Sequence, residues 1–302
     1  MMTMQIYSRG LREICRLLGY TPQAYYQYNK GLIKRALKED LLIQQVIHHR
    51  RYQPRLGVRK LQVMMQPFMT EHHMHIGRDV FFELLRANGL LVRRRRQGRP
   101  RTTFSSHRLK IYPDLLKGIT VKRPEEVWVS DITYINLSKG FAYLSLVTDV
   151  YSRKIVGYYL NDELTTAGPL QALEMAVNTR KSKEPLLHHS DRGAQYCSFS
   201  YIQKLMAGNI GISMTQSGDP RDNAIAERVN GILKQELFRD MYPGLRQARQ
   251  EIAAAIEVYN KLRPHSSVDM LTPEQAHIQT GEIRRRWKSY YKLAAKEVYM
   301  DG

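Results

Sequence analysis

The first ninety residues combine helical hydrophobic patterns with short breaks. Leucine and isoleucine recur every three or four positions in residues 10–27, which predicts two helices separated at Gly19. A third helix is predicted from residue 39, and a fourth from Val58 to about Met65. The first two helices form a helix-turn-helix pattern. Any small helical hairpin shares this pattern, so it does not by itself identify a nucleic-acid-binding motif.

A further helix is predicted directly after Gly77. The sequence Gly77-Arg78-Asp79 is typical of a helix start, and Asn88-Gly89 is typical of a helix end. The spacing of its hydrophobic residues predicts a buried face made of Val80, Phe81, Leu84 and Leu85. Together with the two preceding helices it predicts a compact helical unit over about residues 39–92.

From about residue 125 the pattern changes to short hydrophobic strands. Three strands in close succession predict an antiparallel meander, after which helices and single strands alternate. The resulting order, β-β-β-α-β-α-β-α, is that of an α/β (α+β) fold of the RNase-H-like kind, with a mixed five-stranded sheet and flanking helices. The predicted strands are 126–135, 141–150, 154–160, 185–189 and 211–216, and the predicted helices are 166–179, 198–207 and 224–238.

Charge divides the chain into two parts. The 302 residues include 47 Lys or Arg and 28 Asp or Glu, for a net charge of +19. Residues 1–112 carry 22 of these basic residues and only 6 of the acidic ones, which predicts a basic module for a polyanion joined to a near-neutral module. We predict a helical hairpin (1–38), a basic helical region with an Arg-rich linker (39–112), the α/β core (113–280) and a basic helical tail (281–302).

The densest basic run lies between residues 93 and 101, which contain six arginines and no acid. Arg is suited to forked contacts with phosphate, and Gly98 and Pro100 favour an extended chain that can follow a nucleic-acid backbone. A solvated linker and a membrane-surface contact are the alternatives. The predicted nucleic-acid contacts are Arg93, Arg94, Arg95, Arg96, Arg99 and Arg101.

Several classes of protein are disfavoured. No stretch approaches the 18 or so apolar residues that span a bilayer, and the first residues lack the apolar run of a signal peptide, so a cytoplasmic protein without membrane contact is predicted. Cys15 and Cys197 are too isolated for a disulfide framework or a zinc site. The histidines of the helical region also lack regular ligand spacing.

Three acidic residues occupy positions suited to an active site. Asp131 lies within the first predicted strand, Asp191 directly follows the fourth, and Glu227 lies one turn into the last helix. In this topology the first and fourth strands are neighbours, so the three carboxylates would lie close together and repel one another unless a cation lay between them. Hard oxygen ligands suit Mg²⁺ or Mn²⁺.

Each acid also has a structural interpretation. An unpaired aspartate inside an apolar strand is costly, which favours a functional role for Asp131. Asp191 could instead be a turn residue or pair with Arg192, and Glu227 alone could be a solvated helix residue paired with Arg228. Their common spacing and topology favour function for all three.

Four sequence blocks resemble the integrase core of bacterial insertion-sequence transposases. The similarity extends over nearly the whole chain and is greatest to the downstream-frame (OrfB) product of the insertion-sequence-three family. The blocks are Trp128-Val-Ser-Asp-Ile-Thr-Tyr-Ile135, His189-Ser-Asp-Arg-Gly-Ala-Gln-Tyr196, Asp222-Asn-Ala-Ile-Ala-Glu227, and Tyr259-Asn-Lys-Leu-Arg-Pro-His265 followed by Leu271-Thr-Pro-Glu274. Residues 54–59 differ from the tyrosine-glycine-tyrosine-arginine run that is more frequent in the family.

This resemblance implies a DDE recombinase in which Asp131, Asp191 and Glu227 bind the metal. Two Mg²⁺ or Mn²⁺ ions per active site, with DNA bound, would support cleavage at the element ends and strand transfer by the freed 3′-hydroxyl. Asn223 and Lys234 share the helix face of Glu227 and are predicted DNA contacts. Predicted supporting residues are His189 and Arg192, beside Asp191, and Arg263 and His265, which brace the core or touch DNA.

The implied partners are double-stranded DNA, comprising the terminal inverted repeats and the target, and further copies of the chain in a synaptic complex. In the family that this chain resembles, an upstream frame (OrfA) with a helix-turn-helix and a leucine zipper is fused to the downstream frame by frameshifting. This chain shows no sustained heptad pattern, so the resemblance implies the OrfA protein as an additional partner. A nucleoid-associated location follows. The alternatives are a nuclease that cuts without joining, a retroviral-type integrase, and a catalytically silent DNA-binding regulator derived from a transposase.

Overall fold

The computed structural model describes residues 10–92, 109–216 and 223–284. The described residues form two compact units. Residues 10–51 and 65–91 make up the first, and residues 52–64 together with the described residues from 92 onward make up the second. The predicted contacts Arg93, Arg94, Arg95, Arg96, Arg99 and Arg101 lie outside the described residues, as does the predicted tail from residue 285.

The N-terminal region is helical, but its helix boundaries differ from the prediction. Helix α1 (Leu11–Leu17) is followed by a single long helix, α2 (Pro22–Tyr52), and then by α3 (Val58–Glu71) and α4 (Arg78–Ala87). The predicted division at residues 38 and 39 therefore falls inside α2. This segment contains many Leu, Gln, Lys and Arg residues and has no proline after Pro22, so helix propensity lets the helix continue.

Helix α4 buries a narrower face than predicted. Phe81 and Leu85 are fully buried, Leu84 is half-buried, and Val80 is 55% exposed. Residues three or four positions apart share a helix face, so Val80 lies to one side of the stripe that Phe81 and Leu85 form. The helix ends as predicted, with Gly89 at a φ of +65°.

The second unit contains a mixed five-stranded sheet, as the sequence predicts. Its strands are β1 (Val127–Asn136), β2 (Phe141–Asp149), β3 (Ile155–Asn161), β4 (Leu186–Ser190) and β5 (Ile210–Met214), arranged in the order β3-β2-β1-β4-β5. The β1–β2 and β2–β3 pairs are antiparallel, and the β1–β4 and β4–β5 pairs are parallel. The meander thus places β1 at the sheet centre, directly beside β4.

Helices cover the sheet on both faces. They are α5 (Ala167–Thr179), α6 (Phe199–Ala207), α7 (Ala224–Ile232), α8 (Leu245–Lys261) and α9 (Pro273–His277), with a π-helical turn over Leu233–Leu237. Successive strand residues point to opposite faces. In β1, Trp128 and Ile132 pack with residues of α5 and α6, whereas Ile135 packs with residues of α7 and α8.

Asp131 lies among apolar residues on one face of β1. Val127 and Val129 pack against Ala226 of α7, and Ile135 packs in the cluster that includes Val229. Asp131 lies an even number of positions from these three residues and therefore on the same face of β1, so a carboxylate interrupts an otherwise apolar row.

In the described ranges, none of the helices is both long enough and apolar enough to cross a bilayer.

Candidate active site

Asp131 lies at the centre of the sheet. It is opposite Leu146 of β2 and is only partly exposed. Two N–H groups hold its carboxyl group: the Ile132 backbone amide donates to Oδ1 over 2.9 Å, and the Asn230 side-chain amide donates to Oδ2 over 2.7 Å. Both hydrogen bonds favour the charged form of this group.

Asp191 lies beside Asp131 because β1 and β4 run in register. The parallel pairing reaches Val129 and His189, each two residues before one of the aspartates. Neighbouring strands are about 4.8 Å apart, so continuing this register brings the two aspartates to the same level of the sheet. The backbone amide of Gly193 donates to Asp191 Oδ1 over 3.0 Å and orients this carboxylate.

Helix α7 carries Glu227 to the same region. Its start is fixed on β1 by Asn223, whose side-chain amide donates to the Ser130 carbonyl over 2.8 Å. Two turns further on, Asn230 makes its hydrogen bond to Asp131. Two asparagines on one helix face therefore hold α7 against β1, and Glu227 lies between them in the sequence with an exposed side chain.

The charges of Asp191 and Glu227 both act on Asp131. Burial, followed by the charge of Asp191, raises the pKa of Asp131 to about 7; the Asn230 and Ile132 hydrogen bonds oppose this, and Glu227 adds to it. Among residues 10–92, 109–216 and 223–284, however, no three His, Cys, Asp or Glu side chains are arranged to hold a metal ion. The fold thus brings the acids into one electrostatic field without closing them into a coordination shell.

The donor set still fits a hard divalent cation. All three groups offer carboxylate oxygens. Burial and the charges of Asp191 and Glu227 raise the pKa of Asp131, and a bound cation would oppose both effects by stabilising the charged form.

Gly193 lies close to the Asp191 carboxylate. A Cβ atom at position 193 would lie 3.0 Å from Asp191 Oδ1 and 3.2 Å from Gln195 Oε1, so Gly193→Ala must displace one of these groups. If Asp191 takes part in catalysis, we expect the cleavage rate to fall by about tenfold or more, because small misplacements of reacting groups are costly. Single-turnover cleavage measures this effect.

Gly231→Ala is the matched control, since no atom beyond the adjoining backbone of α7 lies within 4 Å of a Cβ atom at that position. This variant should retain the parent rate. Equal rates for both variants would contradict the role assigned to the Gly193 turn.

Lys234 follows α7 in the π-helical turn, a rare element that is frequent at functional sites. Its Nζ lies 3.7 Å from the centroid of the Tyr134 ring. Burial lowers the pKa of Lys234 to about 8, and the Asp131 carboxylate opposes that shift. Lys234 is therefore a cation held beside the acidic groups, whereas Asn223 is buried and engaged with β1. Their roles as DNA contacts stay predictions.

The two residues predicted to support Asp191 differ in environment. His189 is fully buried, and its Nδ1 lies 2.8 Å from Ser213 Oγ and 4.0 Å from Asp114 Oδ1. It therefore connects β4 to β5 and to the segment before β1. Arg192 directly follows Asp191 and is half-buried.

Arg263 lies in a buried ion pair that the sequence did not predict. It is 1% exposed, and its Nε and Nη2 donate to Glu236 Oε2 and Oε1 over 2.8 and 2.9 Å. Lys60 donates to the same Oε1 over 3.0 Å. Burial raises the pKa of Glu236, but the hydrogen bonds and charges of Arg263 and Lys60 outweigh it and lower the pKa overall. No local pattern marks Glu236 or Lys60, since 176 residues separate them.

His265 is buried in a positively charged environment. Its Nδ1 accepts a hydrogen bond from Ser267 Oγ over 2.8 Å. Burial, and then the charges of Arg263, Arg153, Lys60 and Arg228, lower its pKa to about 2. This residue therefore remains neutral in the folded protein over the physiological pH range.

The pKa of His265 predicts a loss of stability in acid. Below about pH 6.5 the unfolded chain binds a proton at His265 and the folded chain does not, so the free energy of unfolding falls by up to about 1.4 kcal/mol per pH unit. Denaturant titrations between pH 7 and 5 test this. His265→Gln should reduce the slope, and an identical slope in the two proteins would contradict the assignment.

Comparisons with known proteins identify the family of this chain. Family models described as "Integrase core domain" match residues 121–220 and 209–273. The chain is 31% identical over 265 residues to the insertion element IS600 uncharacterized 31 kDa protein of Shigella sonnei, and the match covers 86% of this chain and 96% of that protein. It is 34% identical over 194 residues to transposase InsF for insertion sequence IS3A of Escherichia coli (strain K12), covering 63% and 67%.

Among solved structures, the HTLV-2 integrase catalytic core domain in complex with magnesium (trimeric form) matches with a TM-score of 0.41 and 20% identity, covering 51% of this chain and 97% of that chain. The relatives, taken with the integrase core matches, show that this chain belongs to the IS3 family of insertion-sequence transposases.

Proposed function

We propose that this transposase cleaves DNA at the ends of an insertion sequence and joins the freed 3′-hydroxyl to target DNA, with Asp131, Asp191 and Glu227 as its metal-binding carboxylates. The observation that supports this most directly is the parallel pairing of β1 with β4, because Asp131 lies within β1 and Asp191 directly follows β4. The raised pKa of Asp131 adds support, because the charges of Asp191 and Glu227 contribute to it after burial, which is the largest cause.

We propose Mg²⁺ or Mn²⁺ as the cofactor, with two ions per active site when DNA is bound. Bound ions of this type supply neutralisation of phosphate charge and activation of the attacking oxygen. The chain's own residues hold the acids in place: Asn230 and the Ile132 amide orient Asp131, and the Gly193 amide orients Asp191. Lys234 supplies a positive charge beside Asp131 for a DNA phosphate.

The reaction has two steps of the same kind. In the first, a water oxygen forms a bond to phosphorus while the bond to the 3′-oxygen at the element end breaks, leaving a 3′-hydroxyl. In the second, this 3′-oxygen attacks a target phosphodiester, and the target 3′-oxygen leaves. Neither step needs a covalent bond between DNA and protein.

The proposed partners follow from this reaction. The substrate is double-stranded DNA, comprising the terminal inverted repeats and the target. The proposed location is therefore the nucleoid, where this DNA lies. A homodimer or higher oligomer would hold two ends in one synaptic complex. We also propose that an upstream-frame (OrfA) protein takes part.

Incubation of the purified protein with a labelled terminal inverted-repeat duplex and Mg²⁺ or Mn²⁺ tests the proposal. Both nicked and joined strands should form, and both should disappear in Asp191→Asn. Binding without any product, in the presence and absence of the upstream-frame protein, would favour a silent DNA-binding regulator instead. Products that persist in Asp191→Asn would refute the assigned carboxylates.

A further inference from the structure

A second face of α7 lines a basic cavity. The cavity has a volume of about 580 Å³ and lies entirely within the second unit. Ile225, Arg228 and Ile232 border it, whereas Asn223 and Asn230 of the same helix contact β1. The helix that carries Glu227 thus contributes to two different sites.

Four cations line this cavity, and they come from distant parts of the chain: Lys60, Arg153, Arg228 and Arg263. Among the described residues, one carboxylate, Glu236, forms ion pairs with two of them. Both of its oxygens are already occupied, Oε1 by Lys60 and Arg263 and Oε2 by Arg263. The cavity therefore has more positive charge than its own acid can neutralise.

Arg228 is the cation best placed for an incoming ligand. Its side chain is exposed, and within the described ranges it makes no hydrogen bond or ion pair. Lys60 and Arg263 lie deeper, with side chains 18% and 1% exposed. The cavity thus has a fixed basic floor and an available arginine at its surface.

The lowered pKa values of two groups in this cavity are consistent with the same excess of positive charge. The four cations all lower the pKa of buried His265. Burial, and next the charge of Arg263, lower the pKa of Lys60 to about 8, although Glu236 opposes the shift. Like charges held together at this density are stabilised by an anion.

The lining indicates the chemistry of that anion. Arginines make forked hydrogen bonds to phosphate oxygens, and the hydroxyls of Ser266 and Ser267 add polar groups. Ala224, Ile225, Val229 and Ile232 form an apolar wall, which suits a ligand with a sugar as well as a phosphate. A DNA backbone offers this combination, and the chain is a DNA transposase.

We propose that this cavity binds a backbone phosphodiester of the DNA substrate, distinct from the scissile phosphate, and so anchors the strand against the helix that carries Glu227. This site rests on the proposed action on DNA ends. The bound group is one backbone phosphate with its sugar. Arg228 contacts it at the cavity surface, and Lys60 and Arg263 contact it from the buried floor.

Binding of a terminal inverted-repeat duplex, measured in EDTA at several salt concentrations, tests the site without any chemistry. Each variant is made in an Asp131→Asn background. Loss of one phosphate contact removes about 0.9 from the log–log salt slope, which corresponds to roughly eightfold weaker binding at 0.1 M salt. We expect this result for Arg228→Gln. Arg246→Gln is the matched control, because Arg246 is an exposed arginine of α8 outside the cavity.

A second experiment locates the contact. The native thiols Cys15 and Cys197 are buried, so an added cysteine can be targeted selectively. Arg228→Cys should form a disulfide with a duplex that carries a thiol tether on its backbone, and Arg246→Cys should not. Equal cross-linking together with equal salt slopes would overturn the site. If the unsubstituted protein failed to bind the duplex at all, the proposed function would be contradicted as well. If the unsubstituted protein binds the duplex and the substitutions of Arg228 leave that binding unchanged, only this site is refuted.

Discussion

Asp131→Asn should abolish strand cleavage and joining while leaving DNA affinity unchanged. Neutralisation of transition-state charge by a bound metal supplies several kcal/mol, so losing this ligand should slow cleavage by at least about 10³-fold. Single-turnover cleavage of the inverted-repeat duplex measures the chemical step, and filter binding measures affinity on the same preparation.

The surroundings of Asp131 can accept asparagine with little change in local structure. Asparagine has the same shape, and its side-chain oxygen can still accept the hydrogen bond from the Ile132 amide. Asn230 can adapt to the new amide by rotating, because its buried Oδ1 has no hydrogen-bond partner in the part of the chain that the structure describes. Removing a carboxylate whose pKa is raised to about 7 also relieves repulsion by Asp191 and Glu227. The variant should therefore fold at least as well as the parent.

Asp162→Asn provides the control. Asp162 is exposed and lies in the same unit, directly after β3. This variant removes the same charge and should cleave at the parent rate. Parent activity in Asp131→Asn, or equal loss in the two variants, would show that Asp131 has no special role.

Arg263→Met should destabilise the protein by about 3–5 kcal/mol, because it leaves Glu236 buried with only Lys60 as a partner. Arg263 makes a bidentate pair with Glu236 and also lies 5.7 Å from the centroid of the Tyr259 ring. For a unit of this size, the expected fall in Tm is roughly 6–20 °C.

Lys261→Met is the matched control, two residues away. Lys261 forms an ion pair with Glu257, but both side chains are more than half exposed, so this pair should contribute little. Thermal and denaturant unfolding of the two variants should differ clearly. A small effect of Arg263→Met would mean that Lys60 alone compensates the charge of Glu236.

Much of the second unit could be predicted from the sequence because its signals are local. Short hydrophobic runs bounded by turns predict the five strands, and the observed bounds differ by only one or two residues at most ends. The helix N-terminal to the π-helical turn also begins at Ala224 as predicted. The continuous helix α2 and the helix α8 could not be read in the same way. Helix α2 continues past residue 39, where the sequence predicts a separate helix. Helix α8 was not predicted, although Pro243-Gly244 directly precedes it, and it has no side-chain cap at its start.

The sequence by itself determined the order of the strands along the chain, the three acidic residues and the family resemblance. Each of these depends on short runs of consecutive residues. Tertiary structure alone decided that Asn230 holds Asp131, that Glu236 pairs with Arg263 and Lys60, and that four cations meet in one cavity. These partners are separated by between 27 and 176 positions, so they become neighbours only when the chain folds. Periodicity along the chain reports which side of an element is buried, but it carries no information about the residue that will lie opposite.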